Sequence, residues 1–108
     1  GNARLWQAVV NPGTAEELKR LAATIIREPG SVVALAARNG SASVLVARSP
    51  DVDLDCLLIA KSAAMLLGGG GGGASDFAQG GGPNLDMAEK ALEAAVSAIR
   101  ERLGQTFK

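Results

Sequence analysis

The sequence has no histidine and no tyrosine, one cysteine (Cys56), and three aromatic residues, Trp6, Phe77 and Phe107. Without histidine a Ser-His-Asp or Cys-His nucleophile pair is impossible. A structural zinc needs about four Cys, His or carboxylate ligands, and one cysteine leaves no such set. A single cysteine forms no disulfide within the chain, which fits a reducing compartment and an expected cytoplasmic location. No apolar run approaches the roughly 20 residues of a membrane span, and no signal peptide is visible, so no membrane partner is expected. Neither sign of charge is in excess: eleven Lys and Arg balance eleven Asp and Glu. That balance argues against non-specific coating of nucleic acid but leaves room for a local phosphate site. The chain begins with Gly1 rather than Met, and is read as a piece of a longer protein.

What is present is small and aliphatic. Hydrophobic residues make up 47% of the chain, an ordinary share for a globular protein, so global disorder is not expected. A chain of 108 residues is one domain on size grounds, and 1–108 is read as such. It can bury roughly 65% of its unfolded surface. The core has to be built from Ala, Val, Leu and Ile.

The punctuation is clear. Leu5 to Val10 reads as a strand closed by Asn11-Pro12-Gly13. Thr14-x-x-Glu17 is a capping box that opens a helix with Leu18, Leu21, Ala22, Ile25 and Ile26 on one stripe. Pro29-Gly30 ends it. Ser31 to Arg38 and Ser41 to Arg48 flank Asn39-Gly40, the strongest short hairpin signal. A two-residue loop would pair Arg38 with Ser41 and put Val33, Leu35, Val44 and Val46 on one face. Val32, Ala34, Ala36, Leu45 and Ala47 would form the other. Both faces are apolar, as in strands covered on both sides. Asp51, Asp53 and Asp55 lack the spacing of a calcium loop and are assigned to turn and cap chemistry, with Asp53 as N-cap of a largely buried helix over 54–67. Asn84 is expected to cap a last helix with Leu85, Ala88, Leu92, Val96, Ile99 and Leu103 inward and Gly104 at its C-terminal end. The order is β-α-β-β-α-loop-α: a small α/β (α+β) domain with a mixed sheet, a β-hairpin and three helices.

Between the last two helices lies GGGGGGASDFAQGGG, residues 68–82, which holds nine of the fourteen glycines. A flexible linker is the plain alternative. Against it stand Asp76-Phe77-Ala78-Gln79 inside the run and the apolar helices at both ends. Glycine lets backbone N–H groups approach a ligand with no Cβ in the way, successive N–H groups can form an anion nest, and the helix start after Pro83 would add donors. The segment is not a nucleotide P-loop, since it has no Gly-Lys-Ser/Thr and follows a helix. Bulk placed at Gly70 or Gly81 is expected to remove binding and leave folding intact.

A glycine run, then Asp-x-Ala-Gln, then Gly-Gly-Gly ahead of a C-terminal helix resembles the DHH-associated domain, in the version found at the C-terminus of alanyl-tRNA synthetases. The likeness extends over essentially the whole chain in element order. It implies a non-catalytic RNA-binding domain that grips the outer corner of tRNA and links aminoacylation to editing. The implied partners are alanine-specific tRNA or another structured nucleic acid, and the other domains of the parent synthetase. ATP, Mg²⁺ and zinc would serve the parent, at sites outside this chain. By the resemblance the contact loop is Gly68, Gly69, Gly70, Gly71, Gly72 and Gly73, with Gln79, Gly80, Gly81 and Gly82. Family members often carry a basic residue after the first glycine run; here Ala74-Ser75 stands, so the resemblance does not imply strong phosphate affinity at the loop.

Other residues qualify on their chemistry. Arg38 and Arg48 end the hairpin strands at opposite ends of the sheet, and Lys61 is a lone charge on an apolar helix; each could meet phosphate or simply be solvated. Phe77 could stack on a base, worth about 1–3 kcal/mol, whereas Trp6 is assigned to the core and Cys56 to a small buried apolar role. Two alternatives keep the fold: the substrate-binding lobe of a DHH-type phosphoesterase, and a module that dimerises through an apolar helix face.

Overall fold

Residues 3–104 are described by a computed structural model. Nine elements follow one another: β1 (Arg4–Val10), α1 (Ala15–Ile25), β2 (Ser31–Asn39), β3 (Ser41–Arg48), α2 (Cys56–Leu66), β4 (Gly70–Ala74), β5 (Phe77–Gly82), a single 3₁₀ turn (Leu85–Met87) and α3 (Ala88–Arg102). The strands form one mixed sheet in the order β1-β2-β3-β5-β4, with β1 parallel to β2 and every other pair antiparallel. The expected mixed sheet and three helices are present, with two strands more than the sequence suggested, both from the glycine segment.

α1 starts where its capping box sits. Glu17 N–H donates to the Thr14 hydroxyl (3.2 Å), and Thr14 N–H donates to the Glu17 carboxylate (2.9 Å), so two of the orphan donors of the first turn are satisfied. Its Leu18 and Ala22 are buried against Val33, Leu35, Ala37, Leu45 and Ala47; Leu21, expected on the same stripe, is 42% exposed. The opposite face of the sheet carries Val32, Ala34, Ala36, Ala42, Val44 and Val46 under α2 and α3. Each fully buried Val, Leu or Ile contributes roughly 1.5–3 kcal/mol.

The hairpin register differs from the expected one by one residue. Asn39 pairs with Ser41 and Arg38 with Ala42, so Leu35 lies opposite Leu45 and Val33 opposite Ala47. Only Gly40 remains between the paired ends, at φ 77°, where a side chain would be strained. The slip sends Leu45 and Ala47 to the α1 face and Val44 and Val46 to the α2 face. Because both faces of β3 are apolar, its alternation could not fix the register.

The second helix also starts later than expected. Its N-cap is Asp55, whose carboxylate accepts from Leu57 N–H (3.2 Å), not Asp53. The cause is Arg48: its Nε–H donates to the Leu54 carbonyl (2.8 Å) while the Leu54 side chain is buried, which holds the chain out of the helix through residue 54. Nor is α2 largely buried. Ile59, Ala60, Ala63 and Ala64 face the core, but Leu58, Leu66 and Met65 (74% exposed) face outward. Trp6, assigned to the core, is 45% exposed on the sheet edge, beside Arg4, Ile25 and Pro29. Asn84 does not cap α3. Its side-chain amide donates to the Leu66 carbonyl (3.3 Å) and its N–H to the Leu67 carbonyl (2.9 Å), closing the C-terminal end of α2, where helix carbonyls lack partners.

Candidate functional site

The glycine segment folds as a β-hairpin. β4 and β5 pair from Gly70 opposite Gly81 to Ala74 opposite Phe77, and β5 joins the main sheet through β3. α2 backs the hairpin along its length: a helix of eleven residues is about 16 Å long, and a strand of five about 17 Å. Both ends are fastened. Cys56 N–H, in the first turn of α2, donates to the Ser75 carbonyl (2.8 Å), and Arg48 N–H donates to that of Asp76 (3.0 Å). At the other end Gly68 N–H and Gly69 N–H donate to the Met65 and Ala64 carbonyls (3.1 and 3.2 Å). These bonds correct the picture of a free nest. Gly68 and Gly69 close a helix end, and two donors that follow Pro83 are committed too, since Leu85 N–H and Met87 N–H donate to the Pro83 and Asn84 carbonyls.

What is left open is one face of the hairpin. Directly opposed residues in an antiparallel pair share a face. Gly70, Gly72 and Ala74 of β4 thus lie with Gly81, Gln79 and Phe77 of β5, on the side of Leu45. α1 covers that side over β2 and β3 rather than over the hairpin. The other face meets α2, and its glycines are required by packing. A Cβ on Gly80 would lie 2.6 Å from the Cβ of Ala64 and 2.8 Å from the Gly70 carbonyl oxygen; one on Gly82 would collide with the Leu67 carbonyl. Gly81 is also constrained, since a Cβ on it would lie 2.7 Å from the Ala42 carbonyl oxygen, so it is no clean site for a binding variant. Gly70 and Gly72 differ from all of these. An added Cβ at either meets nothing within 4 Å, and neither has a positive φ.

The named side chains fall in different places. Gln79 is partly exposed, with a buried Oε1 that accepts from no donor among the described residues. Phe77 is half-buried and packs against the Leu45–Ala47 cluster at the closed end of the hairpin. Ser43, opposite Gly81, joins the same face; the sequence reading missed it, although a serine inside an apolar strand was the signal. Arg48 is not free: besides Leu54 it donates to the Ser49 and Pro50 carbonyls (3.3 and 3.5 Å). Lys61 is exposed on the outer side of α2, away from the open face. Arg38 ends β2 at the opposite end of the sheet from Arg48, in a shallow depression lined also by Asn11, Pro12, Asn39, Gly40 and Leu85. Cys56 is buried, and burial pushes its thiol up to about 12, so the thiolate is not accessible near neutral pH. Among the described residues no three His, Cys, Asp or Glu side chains come together as metal ligands, and no helix is long and apolar enough to cross a membrane.

Residues 4–104 match the DHHA1 domain. The alanine–tRNA ligase of Natronomonas pharaonis is 38% identical over 91 residues, which are 84% of this chain and 10% of that protein; the chain therefore spans about a tenth of the length of this curated relative. Among solved structures, the C-Ala domain from Aquifex aeolicus alanyl-tRNA synthetase aligns with a TM-score of 0.75 and 28% identity, over 94% of this chain and 91% of that one.

Proposed function

The chain belongs to the DHHA1 domain family, and from that premise we propose that it is the tRNA-binding C-terminal domain of an alanyl-tRNA synthetase, holding the outer corner of tRNA on the open face of the β4–β5 hairpin. The observation that carries this reading is the pair Gly70 and Gly72. A glycine inside a strand costs roughly 0.5–1 kcal/mol relative to alanine, and at these two positions neither packing nor backbone conformation calls for one. A bare backbone surface is what a bulky ligand needs in order to come close. Gln79 sits opposite Gly72 on this face; its Oε1 lacks a donor but is buried, so the side chain must turn outward to accept from a ribose 2′-hydroxyl. Readout of folded RNA by shape and 2′-hydroxyls suits a neutral chain with few aromatics.

ATP, magnesium and zinc would be used by other domains of the parent enzyme. The synthetase relatives favour this parent over a DHH-type phosphoesterase. The outward stripe of Leu58, Met65 and Leu66 on α2 supports a further contact, with another domain of the parent or a second copy of the chain.

The test compares binding of full-length tRNA and an acceptor-stem minihelix by fluorescence anisotropy, for the wild-type chain and Gly72→Val. The wild type should prefer full tRNA. The variant should lose at least about tenfold in affinity, about 1.4 kcal/mol, with its melting temperature unchanged. Equal affinity of wild type and variant would remove the hairpin face from the interface, and equal binding of tRNA and minihelix would remove corner recognition.

A further inference from the structure

Arg38 and Arg48 hold equivalent places at opposite ends of the hairpin strands, and their guanidinium groups are used differently. Arg48 donates to three backbone carbonyls and is part of the fold. Arg38 has a buried Nε–H with no acceptor among the described residues. No carboxylate pairs with it either: the ion pair among the described residues is Lys19–Glu16 on α1. A buried donor on a cation without a partner is unfavourable, and an anion relieves it.

The surroundings suit an anion. The depression beside Arg38, about 340 Å³, is lined by Asn11, Asn39 and the turn at Gly40, with Pro12 and Leu85; at Gly40 an added Cβ would meet nothing within 4 Å. The Arg38 carbonyl accepts from Gly13 N–H (3.0 Å), which ties the strand end to the loop after β1 and steadies the root of the side chain. Arg38 shares a row at this end of the sheet with the root of the glycine hairpin, since it pairs with Ala42 and Ala42 with Gly82; the row lies on the α2–α3 face, the reverse of the bare face. Two strand spacings are about 10 Å.

We infer that the Arg38 depression is a phosphate-binding site that takes one backbone phosphodiester of the bound RNA where it rounds the end of the sheet, about 10 Å from Gly82 at the root of the glycine hairpin. The RNA part of this inference rests on the function proposed above. Phosphate contacts position a nucleic acid without reading its sequence, so the site would fix the path of an RNA that leaves the bare face around the end of the sheet marked by Arg38, Ala42 and Gly82. The planar guanidinium fork matches phosphate in a way that lysine does not.

The experiment measures tRNA affinity of the wild type, Arg38→Gln, Arg38→Lys and Arg48→Gln between about 50 and 200 mM salt. Arg38→Gln should bind more weakly, with a log–log salt slope shallower by about 0.7–0.9, the signature of one lost phosphate contact. Arg38→Lys should keep the slope with reduced affinity, and Arg48→Gln should keep the slope while melting earlier. An unchanged slope in a folded Arg38→Gln, with wild type binding tRNA, overturns the phosphate site and leaves the hairpin reading intact. If wild type binds no tRNA, the proposed function fails, and NMR titration with inorganic phosphate decides this site alone. Saturable shifts at Asn39 and Gly40 that vanish in Arg38→Gln support it; their absence overturns it.

Discussion

At the scale of single residues, the glycines of one segment divide into two kinds that a sequence writes with the same letter. Gly80 lies where α2 leaves no room for a methyl group. Gly80→Ala should therefore lower stability by about 1–3 kcal/mol, as overpacking does, measured by urea unfolding. Gly72→Ala should be neutral or slightly stabilising, because its Cβ enters open space and alanine orders the unfolded chain less expensively. A large loss in Gly72→Ala would mean that the open face is closed in solution. Cys56 makes a second case. Its thiol is buried and its pKa is raised from 9.0 to about 12. The folded chain thus keeps a proton that the unfolded chain releases near pH 9, and this contribution to stability is complete below pH 9 and is lost as pH rises from about 9 toward 12. The thiol should resist iodoacetamide at pH 8 in the native protein and react promptly in denaturant; fast native alkylation would contradict its burial.

At the scale of elements, the caps were partly legible. The Thr14–Glu17 box was readable because both partners lie within one turn and the chemistry is local. The cap of α2 was not, because the choice between Asp53 and Asp55 is made by Arg48 holding the Leu54 carbonyl and by burial of the Leu54 side chain. Asp55→Ala should cost about 1 kcal/mol of stability, as lost N-caps do, and Asp53→Ala close to nothing; thermal unfolding of the two variants separates them. The hairpin was recognised from Asn39-Gly40, yet its register escaped, since each face of β3 has apolar residues to offer. The β4 strand was invisible for a simpler reason. Glycine has little intrinsic preference for strands, and GGGGA carries no alternation from which a period could be read.

At the scale of the whole molecule, the hairpin is the element least supported by side chains. β2 and β3 are buried on both faces, whereas β4 is an edge strand with one face open. Amide hydrogen exchange should find β2 and β3 opening only with global unfolding and β4 opening at lower free energy. Bound tRNA should slow exchange in β4 and β5; uniform protection without RNA would show that the hairpin needs no ligand to become rigid. The sequence by itself determined the start of α1, the turn at Gly40, the aliphatic core and the position of the segment that matters, because capping, turn geometry and apolar periodicity act over a few residues. Only the tertiary structure decided the strand register, the start of α2, the conversion of a glycine run into two strands, and the contrast between Arg38 and Arg48. Each of these turns on backbone hydrogen bonds or side-chain contacts between segments distant in the chain or brought together only by packing. The backbone groups that make those bonds are the same in every residue but proline, so the sequence cannot say which of them will meet.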